Sequence, residues 1–150
     1  MRWFAERGHA LTGVDRASDA IASSARWGRA VQADIEAGPW PFAGEAFDAV
    51  VVTNYLWRPR LPDIVAAVAP GGVLLYETFA AGNETVGKPS RADFLLQPDE
   101  LLVVCSGLRV VAYENGFEGT PPRFVQRIAA VRPTGAEIAP RHLLGVPTGA

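Results

Sequence analysis

The chain alternates short apolar runs, which are typical of buried strands, with segments that predict helices. Residues 47–53 form a continuous β-branched run of the kind that is buried on both faces of a parallel sheet, and residues 73–77 predict the next buried strand. Strands that alternate with helices imply right-handed crossovers. The pattern therefore predicts an α/β fold, Rossmann-like, with a mostly parallel sheet and helices on both faces.

Helix signals lie between these strands. Ser18 or Asp19 can cap a helix that ends at Gly28. A second helix is predicted over residues 61–69, and a third is predicted to carry Pro98 in its first turn. The expected layout is thus one helix after each of the strands that form the parallel part of the sheet.

An acidic residue follows each of two short strands near the start of the chain. Residues 10–14 predict a strand that Asp15 closes, and residues 30–33 predict another that ends at Asp34. Such an acid is the usual acceptor for ribose hydroxyls in nucleotide-binding α/β folds. Residues 1–9 read as the end of a helix, with no strand or glycine-rich loop before it, so we expect the fold to lack its first strand.

The end of the chain predicts a hairpin and then a tail. Residues 108–114 and 124–132 read as strands, and a Gly/Pro-rich turn around residues 116–122 separates them. This pair is expected to be antiparallel and to lie at the sheet edge. After Pro133 the periodicity is lost. We therefore expect one domain over residues 1–133 and a loose tail over residues 134–150.

Composition sets mild bounds on function. A net charge of −2 gives no electrostatic case for nucleic acid or an anionic membrane surface. No apolar run approaches the roughly 18 residues of a membrane span. The single Cys105 excludes an internal disulfide and is expected to be buried, and no metal-ligand cluster is visible. Without a signal peptide or paired cysteines, a cytoplasmic location is expected.

In this order and spacing, four segments resemble the class I S-adenosylmethionine-dependent methyltransferases, from about Trp3 to Pro133. The family's second strand, with its acidic end, matches Gly8-His9-Ala10-Leu11-Thr12-Gly13-Val14-Asp15, and its third strand, with the acid that follows, matches Gln32-Ala33-Asp34-Ile35. The family's fourth strand matches Phe47 to Asn54, and the turn into its fifth strand matches Ala69-Pro70-Gly71-Gly72-Val73-Leu74. The stretches 76–84 and 94–98 are also similar to small tellurite-resistance-type members.

The resemblance implies an S-adenosylmethionine site at the first two strand ends. Asp15 would accept from the ribose diol, although it can also serve as a helix cap. Asp34 would accept from the adenine amino group, and Ile35 would pack on the purine; an ordinary loop acid is the alternative. Arg16 would cover the adenosine, unless it is simply solvated.

The resemblance also implies a site for the methyl acceptor after the fourth and fifth strands. Asn54 and Tyr55 would face the methionine end of the cofactor. Trp57, Glu77 and Thr78 are candidates for substrate contact, with both Glu77 and Thr78 expected to point into one crevice. Trp57 can equally pack on the next helix, and Glu77 can equally be a buried acid bonded to loop backbone. No catalytic residue is assigned.

The function that follows is methyl transfer from S-adenosylmethionine to a small-molecule acceptor. The chain lacks the Asn-Pro-Pro-Tyr pattern of members that methylate amides and adenine, which argues against a nucleobase acceptor. One alternative is a non-catalytic or cofactor-deficient methyltransferase fragment. Another is an NAD-dependent oxidoreductase, which also ends its second strand with an acid. The unfilled strand edges left by a missing first strand predict self-association.

Overall fold

The computed structural model describes residues 1–135, so most of the predicted tail over residues 134–150 lies outside the described residues. The described chain forms two compact units, Met1–Glu45 and a second that begins at Ala46. The first contains one two-stranded sheet, and the second contains one four-stranded sheet. In each unit the strands lie close to where the sequence predicts them.

The first unit is built on a parallel strand pair. It contains α1 (Arg2–Ala5), β1 (Thr12–Asp15), α2 (Ser18–Ser24), a 3-10 turn (Ala25–Trp27) and β2 (Arg29–Gln32). β1 and β2 are parallel, and Asp15 is opposite Gln32. Gly28 is required before β2 because a Cβ there would lie 2.4 Å from the Leu11 carbonyl oxygen.

The helix that follows β1 begins earlier in the chain than predicted. The N-cap is Ala17, and no side chain caps it, so neither Ser18 nor Asp19 is the cap. Instead, the Ala17 N–H donates to Oδ1 of Asp15 at 2.8 Å. This Asx turn directs the chain from the end of β1 into the helix.

The second unit contains a mixed sheet. Its strands are β3 (Phe47–Thr53), β4 (Val68–Phe79), β5 (Arg109–Gly119) and β6 (Pro122–Val131), in the order β3-β4-β6-β5. β3 and β4 are parallel, and β6 is antiparallel to both of its neighbours. The helices are α3 (Leu61–Ala66) and α4 (Glu100–Val104). The parallel pair and the terminal hairpin are both as expected from the sequence.

The core of this unit lies on one face of the sheet. Alternate residues of β4 and β6 are buried there together with apolar residues of the two helices: Leu74, Tyr76, Ile128, Ala130, Leu61, Ile64 and Leu101. On the opposite face Val51 is 45% exposed and Leu75 is 38% exposed. The prediction that β3 is buried on both faces is therefore wrong, and β4 is buried on one face only.

The turn between α3 and β4 also differs from its prediction. The helix ends at Ala66 rather than Ala69, and Pro70-Gly71-Gly72 lies inside β4. Gly71 has a φ of +78°, and a Cβ on Gly72 would lie 2.9 Å from the carbonyl oxygens of Ala69 and Phe47. The two glycines thus allow an irregularity in the strand pairing rather than ending the helix.

The hairpin is longer than expected. Its strands run to Gly119 and from Pro122, which leaves only Thr120 and Pro121 between them. Pairing continues past Glu114 because Phe117 packs on Phe124, with ring centroids 4.9 Å apart, and Glu118 pairs with Arg123 at 2.5 Å. Pro98 lies before α4, whose N-cap is Asp99, and not in its first turn.

Cys105 is fully buried, as expected, and burial raises the pKa of its thiol to about 11. Among residues 1–135, no helix is both long and apolar enough to cross a membrane.

Candidate functional site

The end of β1 presents a carboxylate with one oxygen in use. Asp15 is exposed, and its Oδ1 accepts from the Ala17 N–H. No group in the described chain donates to its Oδ2. The helix-entry role and a ligand role are therefore compatible, because the turn occupies a single oxygen. This free oxygen is the part of Asp15 that is able to accept hydrogen bonds from a diol.

Asp34 lies at the same edge of the first unit's sheet. β1 and β2 are parallel, and the Ala33 N–H donates to the Asp15 carbonyl oxygen at 3.0 Å, so the chain leaves β2 beside the end of β1. Oδ1 of Asp34 accepts from the backbone N–H groups of Ala37 and Glu36. These hydrogen bonds lower the pKa of Asp34, because backbone N–H donors stabilise its ionised form.

Two further predicted residues border these acids. Ile35 follows Asp34 and is half-buried, and Arg16 is exposed directly after Asp15. The Arg16 backbone carbonyl accepts from Nε2 of Gln32 at 3.2 Å, which ties the end of β1 to β2. The first unit thus brings together Asp15, Arg16, Asp34 and Ile35.

In the second unit, the segment after β3 holds three of the predicted residues. Asn54 has a φ of +54° and donates its N–H to the Glu77 carbonyl oxygen, so it turns the chain as β3 ends. The Tyr55 carbonyl accepts from the Tyr76 hydroxyl at 2.7 Å. Trp57 is half-buried, immediately before Arg58. The Asn54 side chain is exposed, at the carboxyl end of a parallel strand.

Glu77 and Thr78 point to opposite faces of the sheet. Thr78 is 2% exposed and lies on the buried face, whereas Glu77 lies on the open face. The expectation that both enter one crevice is wrong because successive side chains of a strand alternate between faces. Within residues 1–135 the Glu77 carboxylate accepts no hydrogen bond from loop backbone either: it pairs with Arg123 at 3.0 Å and with Arg127.

Glu77 belongs to a charged cluster that the sequence analysis missed, formed by Glu77, Glu114, Glu118, Arg123 and Arg127. Arg127 contacts all three glutamates, and they raise its pKa, Glu118 most of all. The two arginines lower the pKa of Glu118. The sequence did carry a signal for this cluster. Glu114 and Glu118 are four residues apart on one hairpin strand, and they oppose two arginines that are four residues apart on the other strand.

The open face of the sheet carries a groove of about 370 Å³ next to this cluster. Its floor includes Val51, Leu75 and Ala129, and its charged side includes Glu77 and Arg127. Within residues 1–135, no group of three or more His, Cys, Asp or Glu side chains is placed to hold a metal ion.

No protein-family model matches the chain, and no curated protein matches it in sequence. Solved structures do match. TehB from Haemophilus influenzae is 18% identical, with a TM-score of 0.66 over 87% of this chain and 52% of that one. A SAM-dependent methyltransferase from Methanosarcina mazei is 13% identical, with a TM-score of 0.66 over 88% of this chain and 86% of that one.

A third similar structure is the glycopeptide N-methyltransferase MtfA complexed with S-adenosyl-L-homocysteine. It is 16% identical, with a TM-score of 0.55 over 87% of this chain and 75% of that one. The chain spans about half the length of TehB. These likenesses agree with the parallel strands and terminal hairpin described above, and the chain has the fold of the class I S-adenosylmethionine-dependent methyltransferases.

Proposed function

We propose that this protein binds S-adenosylmethionine and transfers its methyl group to a small-molecule acceptor. The observation that carries the proposal is the pair of acidic strand ends, Asp15 and Asp34, at one edge of the first unit's parallel sheet. Ligands of open α/β sheets bind outside the carboxyl ends of the strands. Two of the similar structures indicate the cofactor class, because one is a SAM-dependent methyltransferase and the other is complexed with S-adenosyl-L-homocysteine.

The residues of the first unit suit an adenosine. Oδ2 of Asp15 is available to the ribose diol, where a charge-assisted hydrogen bond fixes the sugar. Asp34 keeps its Oδ2 available for the adenine amino group, while its Oδ1 is held by the backbone. In this proposal the half-buried Ile35 packs on the purine, and the exposed Arg16 covers the nucleoside.

The acceptor is assigned to the second unit, at the carboxyl ends of β3 and β4. Asn54 offers an exposed amide there, and Tyr55 and Trp57 are half-buried aromatic residues of the same segment. The bound cofactor supplies an activated methyl group. The protein therefore needs to orient the acceptor in line with that group more than it needs a catalytic base.

Glu77 is proposed to shape the acceptor site rather than to remove a proton. Both of its carboxylate oxygens already pair with arginines, one with Arg123 and the other with Arg127, which holds the side chain in place on the open face of the sheet. The cluster holds three glutamates against two arginines. Its net negative charge favours a neutral or cationic acceptor over an anionic one.

Calorimetric titration tests the cofactor. We expect S-adenosylhomocysteine to bind and NAD to bind more weakly or not at all. Preference for NAD would overturn the assignment in favour of an oxidoreductase. Binding of neither ligand would point to a cofactor-deficient protein. Transfer of a labelled methyl group to a panel of small amines, phenols and carboxylates then tests the reaction.

A further inference from the structure

The segment between β4 and α4 forms a closed loop. It leaves β4 at its carboxyl end and returns to the same place, where the Leu96 N–H donates to the Phe79 carbonyl at 3.0 Å and the Ala81 N–H donates to the Leu96 carbonyl at 2.9 Å. Ala80 and Leu96 also form a parallel bridge. Residues 81–95 thus have the closed neck of an Ω-loop.

A buried asparagine fills this loop from inside. Asn83 is 1% exposed. Its Nδ2 donates to the Pro89 carbonyl at 2.9 Å, across the loop, and its Oδ1 accepts from the Phe124 N–H on β6 at 3.2 Å. Because one amide satisfies a loop carbonyl and a strand N–H together, the loop and the sheet are fixed to each other on this side.

Arg58 fixes the opposite side. Its guanidinium donates to the carbonyl oxygens of Asp93 and Leu95 at 2.9 and 3.0 Å, and to both carboxylate oxygens of Glu100 at 2.8 and 2.9 Å. Arg58 directly follows Trp57, in the segment that leaves β3. One side chain therefore joins the segment after β3, the end of the loop and the start of α4.

We propose that residues 81–95 are a preformed wall of the acceptor site, held by Arg58 and Asn83, rather than a lid that closes when a ligand binds. The proposal rests on the proposed function for the identity of the site, but not for the rigidity of the loop. The wall presents apolar surface at the carboxyl end of β4: Val86 is 42% exposed and Phe94 is 36% exposed.

The role of Arg58 requires a guanidinium. A planar fork can serve two carbonyls and a bidentate carboxylate at once, whereas a lysine ammonium is a point charge with fewer and differently directed donors. Arg58→Lys keeps the charge and much of the side-chain volume but cannot reproduce the four hydrogen bonds. The matched control is Arg91→Lys, because Arg91 is exposed and, within residues 1–135, its guanidinium contacts only Asp93 and the ring of Phe94.

Hydrogen exchange of the ligand-free protein tests the wall directly. We expect the hydrogen-bonded amides of residues 81–96 to exchange at least about 100-fold more slowly than in an unstructured peptide, and saturating S-adenosylhomocysteine to change them by less than about twofold. Fast exchange in the free protein, or strong slowing by the ligand, would overturn the proposal.

The variants locate the cause. Arg58→Lys is expected to speed exchange of residues 92–96 by about tenfold or more while β4 and β6 keep their protection, and Arg91→Lys should leave both unchanged. Unchanged exchange in Arg58→Lys would refute its role. If S-adenosylhomocysteine does not bind, the proposed function fails, yet the ligand-free exchange still decides whether the loop is rigid.

Discussion

At the scale of single residues, Asp15 combines a structural task with a proposed binding task. Its Oδ1 accepts from the Ala17 N–H and so directs the chain into α2, while its Oδ2 has no donor in the described part of the chain. A carboxylate can do both because each oxygen accepts independently. The two tasks are therefore separable by mutation.

Asp15→Asn should keep the turn and lose the charge, whereas Asp15→Ala should lose both. We expect Asp15→Ala to weaken S-adenosylhomocysteine binding by about 1.5–3 kcal/mol, the scale of a hydrogen bond to a charged group. Asp15→Asn should weaken it with little change in melting temperature. Calorimetry and thermal unfolding measure the two effects, with Asp19→Ala as the control. Unchanged affinity with lower stability would mean that Asp15 only shapes the helix entry.

Cys105 is a second residue-scale case, where burial controls reactivity. Desolvation raises the pKa of its thiol to about 11, so at pH 8 the thiolate fraction is about 100-fold smaller than for an unperturbed thiol. We expect iodoacetamide to modify Cys105 at least that much more slowly in the native protein than in urea. Equal rates would show that the α4 region opens readily.

The raised pKa of Cys105 also makes the free energy of unfolding depend on pH. The folded state holds the thiol proton more tightly than the unfolded state does. This contribution is therefore present below the ordinary value of 9.0 and is lost as pH rises through about 11. Unfolding free energy should fall over that interval in the native sequence and less in Cys105→Ala.

At the scale of elements, cross-strand pairs extend the hairpin. Glu118 opposes Arg123 and Glu114 opposes Arg127, so the two strands remain complementary in charge beyond the predicted turn. Opposite charges directly across an antiparallel pair stabilise it. The same arginines reach Glu77 on β4, which links three strands on the open face.

This cluster predicts sensitivity to acid. Arg127 and Arg123 hold the pKa of Glu118 below its ordinary value of 4.5, so the stabilisation is present above pH 4.5 and is lost as pH falls below it. Urea unfolding should show a steeper loss of stability on acidification in the native sequence than in Glu118→Gln. Glu36→Gln, on an exposed residue outside the cluster, should resemble the native protein. Parallel curves for all three would show that the ion pairs contribute nothing.

At the scale of the whole molecule, the edge of β3 that does not face β4 bears on self-association. Among the strands in residues 1–135, its only hydrogen-bonded neighbour is β4. Charged side chains and proline usually protect a strand edge from pairing with another chain. Apart from Asp48, β3 carries no charge, and it contains no proline. Its Val51 side chain is also exposed beside Leu75.

We therefore expect the 150-residue chain to self-associate through β3. Light scattering should show a mass that rises with concentration. Val51→Lys, which places a charge on the strand without breaking its pairing to β4, should shift the protein toward the monomer. Val103→Lys, at an exposed position on α4, is the control. A monomer at all concentrations would contradict this expectation.

The sequence by itself determined the order and approximate positions of the strands and which acids follow the parallel strands. Apolar runs such as residues 47–53 and the segments before Asp15 and Asp34 carry a local pattern, and local patterns are readable without the fold. The charge complementarity of the hairpin was also present in the sequence, once its register is known.

Only the tertiary structure decided which faces are buried and which distant groups meet. The β-branched run of β3 looks buried on both sides, yet its face at Val51 is open, because burial depends on which elements pack against a strand and not on its own residues. The four hydrogen bonds of Arg58 and the placement of Asn83 between the loop and β6 join residues far apart in the chain. Such contacts leave no periodic signal, so the closed loop that they hold could not be predicted from the sequence.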